Sequence, residues 1–115
     1  MAVQVHHITV GDTLTPLGAQ LKQKSTSGTY QAVDLTGLIV KFSMVAEDGT
    51  SVVDETTTGV TIEDADDGKV SYDFQAADVT TAGTYYGWFH VYSGSERDTY
   101  PVDGRKFRIE ISEVA

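Results

Sequence analysis

Residues 83–92 constrain the fold of this chain most, because nearly every side chain among them is apolar or aromatic. An extended strand directs alternate side chains to opposite faces. One face would carry Tyr85, Gly87, Phe89 and Val91. The other would carry four aromatic rings, Tyr86, Trp88, His90 and Tyr92, which we call the aromatic stripe. A small domain buries one of these faces in its core, so the other is expected to meet a neighbouring strand or a partner.

Three further segments alternate in the same way. Apolar residues recur at every second position in 38–44, 70–74 and 107–111, which is typical of strands with one buried face. Weaker patterns favour strands at 5–10, 17–22, 52–54, 60–62 and 99–102.

Turn dipeptides separate these segments. In each of them a glycine supplies the positive φ that tight turns often need: Asp48-Gly49, Asp67-Gly68, Ser93-Gly94 and Asp103-Gly104. A loop tip is expected at 25–28. The pattern predicts an all-β, antiparallel sandwich of about seven to nine strands. At most one short helical turn is expected, near 75–82.

Tyr85 indicates an immunoglobulin-like sandwich. It opens the aromatic strand after a crossover segment, where such domains carry a tyrosine corner whose hydroxyl bonds back to the backbone upstream. The cysteine that usually follows two residues later is replaced by Gly87.

Length and composition favour one domain over residues 1–115, with 1–10 as either an extended arm or the first strand. No apolar run approaches the roughly 20 residues of a membrane span, so no membrane role is expected. A net charge of −9 argues against nucleic-acid binding, which needs clustered Lys and Arg.

No cofactor, metal or catalytic group is predicted. The chain lacks cysteine, and the adjacent His6 and His7 would point to opposite faces of a strand. The acidic segment 63–68 lacks the alternating ligands and the closing Glu of a calcium loop, so a hairpin turn is expected there. Neither a nucleophile elbow nor a phosphate loop occurs, and we expect no enzyme.

Several segments in order resemble the N-terminal domain of phage baseplate upper proteins and its short single-domain relatives. The matching segments are 11–17, 33–44, 48–49, 52–54, 62–72, 82–85 and 100–104. This resemblance implies an immunoglobulin-like sandwich without catalysis, located in a virion assembled in the host cytoplasm. In baseplate upper proteins longer partner-binding regions follow the domain, and this sequence does not contain them.

The aromatic stripe departs from the family pattern. The positions of Trp88 and His90 are typically polar or acidic in the family, which implies that the stripe faces outward. Exposed Trp and Tyr are favoured at protein interfaces. We therefore expect a tail, baseplate or neck protein that assembles with other virion proteins, with homo-oligomers included. Coverage of the stripe by neighbouring strands, capsid decoration, and stacking on host glycans are the alternatives.

Overall fold

A computed structural model describes residues 5–11, 13, 16–24, 27–100 and 107–113. This part of the chain contains eleven strands and one 3₁₀ turn, Ala76–Val79. The strands are β1 (Val5–Thr9), β2 (Leu17–Gln20), β3 (Lys22–Lys24), β4 (Tyr30–Ala32), β5 (Ile39–Ala46), β6 (Ser51–Thr56), β7 (Val60–Asp64), β8 (Lys69–Tyr72), β9 (Gly83–Ser93), β10 (Glu96–Tyr100) and β11 (Phe107–Ser112). Within these residues, no helix has the length and hydropathy needed to cross a membrane.

The aromatic strand β9 is the centre of a large sheet with the order β1-β11-β9-β5-β6. Its first half pairs with β11, where Phe107 lies opposite Gly87, and its second half pairs with β10, where Tyr100 lies opposite Phe89. The other edge of β9 pairs with β5 along the whole length of β5. Because β9 has hydrogen-bonded neighbours on both edges, its side chains are held in a fixed frame.

A small sheet, β2-β8-β7, covers the inner face of the large sheet. The ring of Phe42 on β5 stacks on that of Tyr72 on β8, with centroids 4.1 Å apart and planes at 19°. Phe42 also contacts Phe89, with centroids 5.0 Å apart. Burial of a large apolar side chain contributes about 1.5–3 kcal/mol. This aromatic cluster therefore joins the two sheets into a β-sandwich.

Gly87 makes room for that cluster. A Cβ atom at Gly87 would lie 2.8 Å from Cζ of Phe42 and 3.2 Å from Cδ1 of Ile109. The ring of Phe42 therefore occupies the space that a side chain on β9 would need. A cysteine at this position, as in many immunoglobulin-like domains, would displace the ring.

The predicted all-β sandwich is confirmed, and so is the short helical turn within 75–82. Eleven strands occur where about seven to nine were expected, because β3 and β4 form a separate short ladder of three-residue strands. The prediction of antiparallel pairing is wrong for one neighbour: β1 runs parallel to β11.

Three of the predicted turns lie at hairpins, with positive φ at Gly49, Gly68 and Gly94. The fourth turn, Asp103-Gly104, and residues 101–102 of the predicted strand lie outside the described residues. The single-domain and immunoglobulin-like assignments stay predictions.

Candidate functional site

Strand β9 separates its two faces as the alternation predicts. On the inner face Phe89 is fully buried and Val91 is 5% exposed. The aromatic stripe lies on the opposite, outer face of the large sheet. Tyr86, Trp88 and Tyr92 are half-buried there. His90 differs from them because it is only 6% exposed. It therefore adds little contact surface itself and supports its neighbours instead.

Neighbouring strands extend the outer face around the stripe. Across to β5, the register places Ile39 beside Tyr92, Lys41 beside His90, Ser43 beside Trp88 and Val45 beside Tyr86. Across to β10 and β11, it places Arg97 beside Tyr92, Thr99 beside His90 and Arg108 beside Tyr86.

Ile39 is the surface residue that the sequence analysis did not single out. Its side chain is 56% exposed, and its register partner is Tyr92. It enlarges the apolar surface at one end of the stripe. The signal was present in the sequence, because Ile39 occupies the alternate position of β5 that Lys41 and Ser43 fill with polar side chains.

A chain of hydrogen bonds runs from Trp88 through the buried His90 to the exposed Thr99. The indole Nε1–H of Trp88 donates to Nε2 of His90 at 2.7 Å, and Nδ1 of His90 lies 3.0 Å from Oγ1 of Thr99. The indole and imidazole planes meet at 85°. The orientation of Trp88 is thus tied to that of His90.

Glu55 contacts the aromatic stripe at its Tyr92 end. The Tyr92 hydroxyl donates to the Glu55 carboxylate, which also lies 3.9 Å from the Arg97 guanidinium. Nζ of Lys41 lies 4.7 Å from the centroid of the Tyr92 ring. The hydrogen bond from Tyr92 is the main cause that lowers the pKa of Glu55, and it raises the pKa of Tyr92.

The outer face is nearly neutral in charge, although the chain carries −9. Among the described residues, the cations Lys41, Arg97 and Arg108 lie on it. The carboxylates of Asp54, Glu55 and Glu110 lie on or beside it. Arg108 and Glu110 are paired at 2.5 Å.

Tyr85, on the inner face, makes the contact expected of a tyrosine corner. Its hydroxyl donates to the carbonyl oxygen of Thr81, four residues upstream, at 2.7 Å. The bond links the start of β9 to the end of the crossover segment. Its role as a tyrosine corner stays a prediction.

The other polar residues considered from the sequence are dispersed. His6 is paired with Ile109 of β11 and stacks on Phe74 at 5.7 Å, while His7 is paired with Glu110. Burial lowers the pKa of His6. Among the residues that the structure describes, no group of three or more His, Asp or Glu is arranged to hold a metal ion.

The acidic segment 63–68 forms part of a hairpin. Asp64 accepts the backbone N–H of Asp67 at 3.3 Å, and Glu63 accepts the hydroxyl of Ser71 at 2.8 Å. Two of its carboxylates thus serve the turn and the adjoining strand pair.

The two packed sheets and the outward stripe define a β-sandwich domain whose candidate site is a sheet face. A family model described as the BppU N-terminal domain matches residues 6–114. The chain therefore belongs to the family of baseplate upper protein N-terminal domains, which confirms the resemblance of the sequence motifs. This membership supports a structural role in a phage tail or baseplate, as a component of the virion.

Among solved structures, the chain is similar to the N-terminal domain of phage TP901-1 ORF48. The two share 17% sequence identity, with a TM-score of 0.49, over 96% of this chain and 99% of the other. No curated protein matches the chain.

Proposed function

We propose that the chain is a non-enzymatic structural component of a phage tail or baseplate that assembles through the outer face of its large sheet. Its first partner in this proposal is a second copy of the same chain. The observation that carries the proposal is the position of the aromatic stripe: the inner face of β9 is buried in the core, while the rings of Tyr86, Trp88 and Tyr92 lie on the outer face.

The composition of this face favours protein–protein contact. Tyr and Trp bury about 150–250 Å² each and are enriched among the residues that dominate binding energy. Ile39 adds an exposed aliphatic side chain beside them. Desolvation of these groups against a partner supplies the driving force.

Charge favours the same face over the remainder of the surface. Two copies of a chain with a net charge of −9 repel each other. Contact through the nearly neutral outer face keeps the acidic segment around Glu63 and Asp64 away from the interface. Acidic residues outside the face would also disfavour contacts in other orientations.

A neck protein or a capsid decoration protein would use the same chemistry with a different partner and copy number. In each case the chain would be assembled into the virion in the host cytoplasm. No membrane or nucleic acid takes part in this proposal.

Glycan binding for host adsorption has less support from the geometry. A sugar-stacking platform needs flat, accessible rings. Along the stripe, the planes of Trp88 and His90 meet at 85°, and those of His90 and Tyr92 at 51°. These rings are not coplanar, which favours a protein partner that adapts its side chains to them.

The test is the double variant Trp88→Ala/Tyr86→Ala. We expect it to keep the circular dichroism spectrum of the wild type and to lose self-association in size-exclusion chromatography with light scattering. Ile62→Ala is the matched control, because Ile62 is 37% exposed on the small sheet. This control should associate like the wild type.

Two results would count against the proposal in different ways. If the folded double variant retains both the wild-type mass and docking to purified tails, the stripe is not the assembly face. If the wild type is monomeric and docks to tails only with an intact stripe, the partner is another virion protein.

A further inference from the structure

His90 is a buried titratable group at the centre of the outer face. Its ring is 6% exposed and lies between Trp88 and Tyr92 of its own strand. Charged groups of three other strands act on it: Lys41 of β5, Asp54 and Glu55 of β6, and Arg97 of β10. Thr99, on the neighbouring strand β10, is its hydrogen-bonding partner.

The contacts of His90 fix its protonation state. An indole N–H only donates hydrogen bonds, so Nε2 of His90 must present a lone pair to Trp88 at 2.7 Å. The proton of the neutral ring is then on Nδ1, which donates to Oγ1 of Thr99 at 3.0 Å. A protonated imidazole has donors on both nitrogens, so it could not accept the indole N–H.

We propose that the chain Trp88–His90–Thr99 is a proton-operated switch of the aromatic stripe. With His90 neutral, the chain holds the indole in the orientation that completes the outer face. Protonation places two N–H groups opposite each other and releases the indole from that orientation. As a regulation of the assembly face, this inference rests on the proposed function.

The direction of the pH response follows from the surroundings of His90. Burial lowers its pKa below the ordinary value of 6.5. Asp54 and Glu55 oppose this change, whereas Lys41 and Arg97 act with it. A histidine with a lowered pKa stabilises the fold while neutral. That contribution is present above about pH 6.5 and is lost as the pH falls toward the folded-state pKa. The switch therefore operates on acidification below the ordinary pKa of histidine.

Trp88 is the sole tryptophan of the chain, so its indole N–H gives a single resonance in a ¹H–¹⁵N spectrum. Between pH 7.5 and 5 we expect this resonance to shift with one midpoint, below pH 6.5. His90→Gln should abolish the shift, because the amide accepts from Trp88 and donates to Thr99 without titrating. His7→Gln, on the outer face of β1, is the matched control and should keep it.

The effect on assembly is measured on the same proteins. On acidification from pH 7.5 to 5.5, self-association of the wild type should weaken roughly tenfold or more, as expected for loss of a tryptophan anchor. Self-association of His90→Gln should stay constant over the same pH range. An indole resonance that does not titrate in the wild type, or that titrates equally in His90→Gln, overturns the switch. If self-association weakens equally in the wild type and in His90→Gln on acidification, the switch is also overturned.

The two proposals fail in distinguishable ways. A resonance that does not titrate, together with loss of association in Trp88→Ala/Tyr86→Ala, removes the switch and leaves the assembly face in place. Unchanged association in that double variant removes the assembly face, whatever the resonance does.

Discussion

At the residue scale, the absence of a side chain at Gly87 determines how the core packs. The Phe42 ring fills the space over Gly87 and is itself fixed between Tyr72 and Phe89. A methyl group 2.8 Å from a rigid, fully buried ring forces the ring or the strand to move. Gly87 is thus required by its neighbours, although its φ is one that any residue adopts.

Gly87→Ala is therefore expected to destabilise the fold by about 1–3 kcal/mol, the usual cost of overpacking a core. Chemical denaturation measures it. Gly18→Ala is the control, because a Cβ atom at Gly18 of β2 meets nothing within 4 Å. That control should be neutral or slightly stabilising. Equal free energies of unfolding for both variants would show that the Phe42 ring moves at little cost to accommodate the added methyl group.

The two adjacent tyrosines at the start of β9 should behave differently. Tyr85→Phe removes the hydroxyl that donates to Thr81 and should cost about 0.5–1.5 kcal/mol. Tyr86→Phe changes the outer face, where the structure records no hydrogen bond from that hydroxyl to a described residue, and should stay within about 0.5 kcal/mol. Thermal unfolding of the two variants compares them, and a reversed order would contradict the tyrosine corner.

Alternation in β9 predicted which residues share a face and the family resemblance predicted that the stripe faces outward, but neither predicted the burial of His90. Period-two alternation in β9 fixes which residues share a face. How far each one is covered depends on side chains of other strands, here Lys41 and Thr99. Those pairings join residues far apart in the chain, and alternation within one strand carries no information on them.

At the element scale, strands with apolar alternation were predictable, and polar or unusually paired strands were not. The patterns in 38–44, 70–74 and 107–111 correspond to β5, β8 and β11. Strand β4 escaped prediction because Tyr30–Ala32 is short and mostly exposed. The parallel pairing of β1 with β11 joins the two ends of the chain, and the alternation of β1 is the same for a parallel or an antiparallel partner.

A buried polar contact fastens the crossover between β8 and β9. The Tyr72 hydroxyl donates to Asp78 at 2.5 Å, and the same carboxylate oxygen accepts the backbone N–H of Gln75 at 2.9 Å. Asp78 thus joins the 3₁₀ turn to the small sheet. Burial, together with the hydrogen bond and charge of Asp78, raises the pKa of Tyr72 far above its usual value.

This contact predicts a loss of stability at alkaline pH. A raised pKa means that the folded chain favours the protonated hydroxyl, so the stabilisation is complete below about pH 10 and declines above it. At pH 9, Tyr72→Phe should be about 1–3 kcal/mol less stable than the wild type, because Asp78 loses a partner. Urea denaturation at pH 9 and pH 11 should show this gap narrowing. If the difference in free energy of unfolding between the two proteins stays constant, ionisation of Tyr72 does not destabilise the fold.

At the scale of the whole molecule, charge and apolar surface are separated. The chain carries −9, while the outer face of the large sheet combines a near-balance of charge with the aromatic stripe. Repulsion between copies is long-ranged, and the attraction between stripes acts only on contact. Added salt weakens mainly the repulsion between copies, since the Debye length falls from about 10 Å at 0.1 M to about 3 Å at 1 M.

Self-association through the outer face should therefore strengthen when NaCl is raised from 50 to 500 mM at pH 7.5, as measured by light scattering across a dilution series. If ion pairs of Lys41 and Arg97 with a partner held the copies together instead, the same salt would weaken association. Trp88→Ala/Tyr86→Ala should show no association at either concentration, because screening removes repulsion but supplies no apolar contact. Weaker association of the wild type in high salt would move the driving force from the aromatic rings to the charges around them.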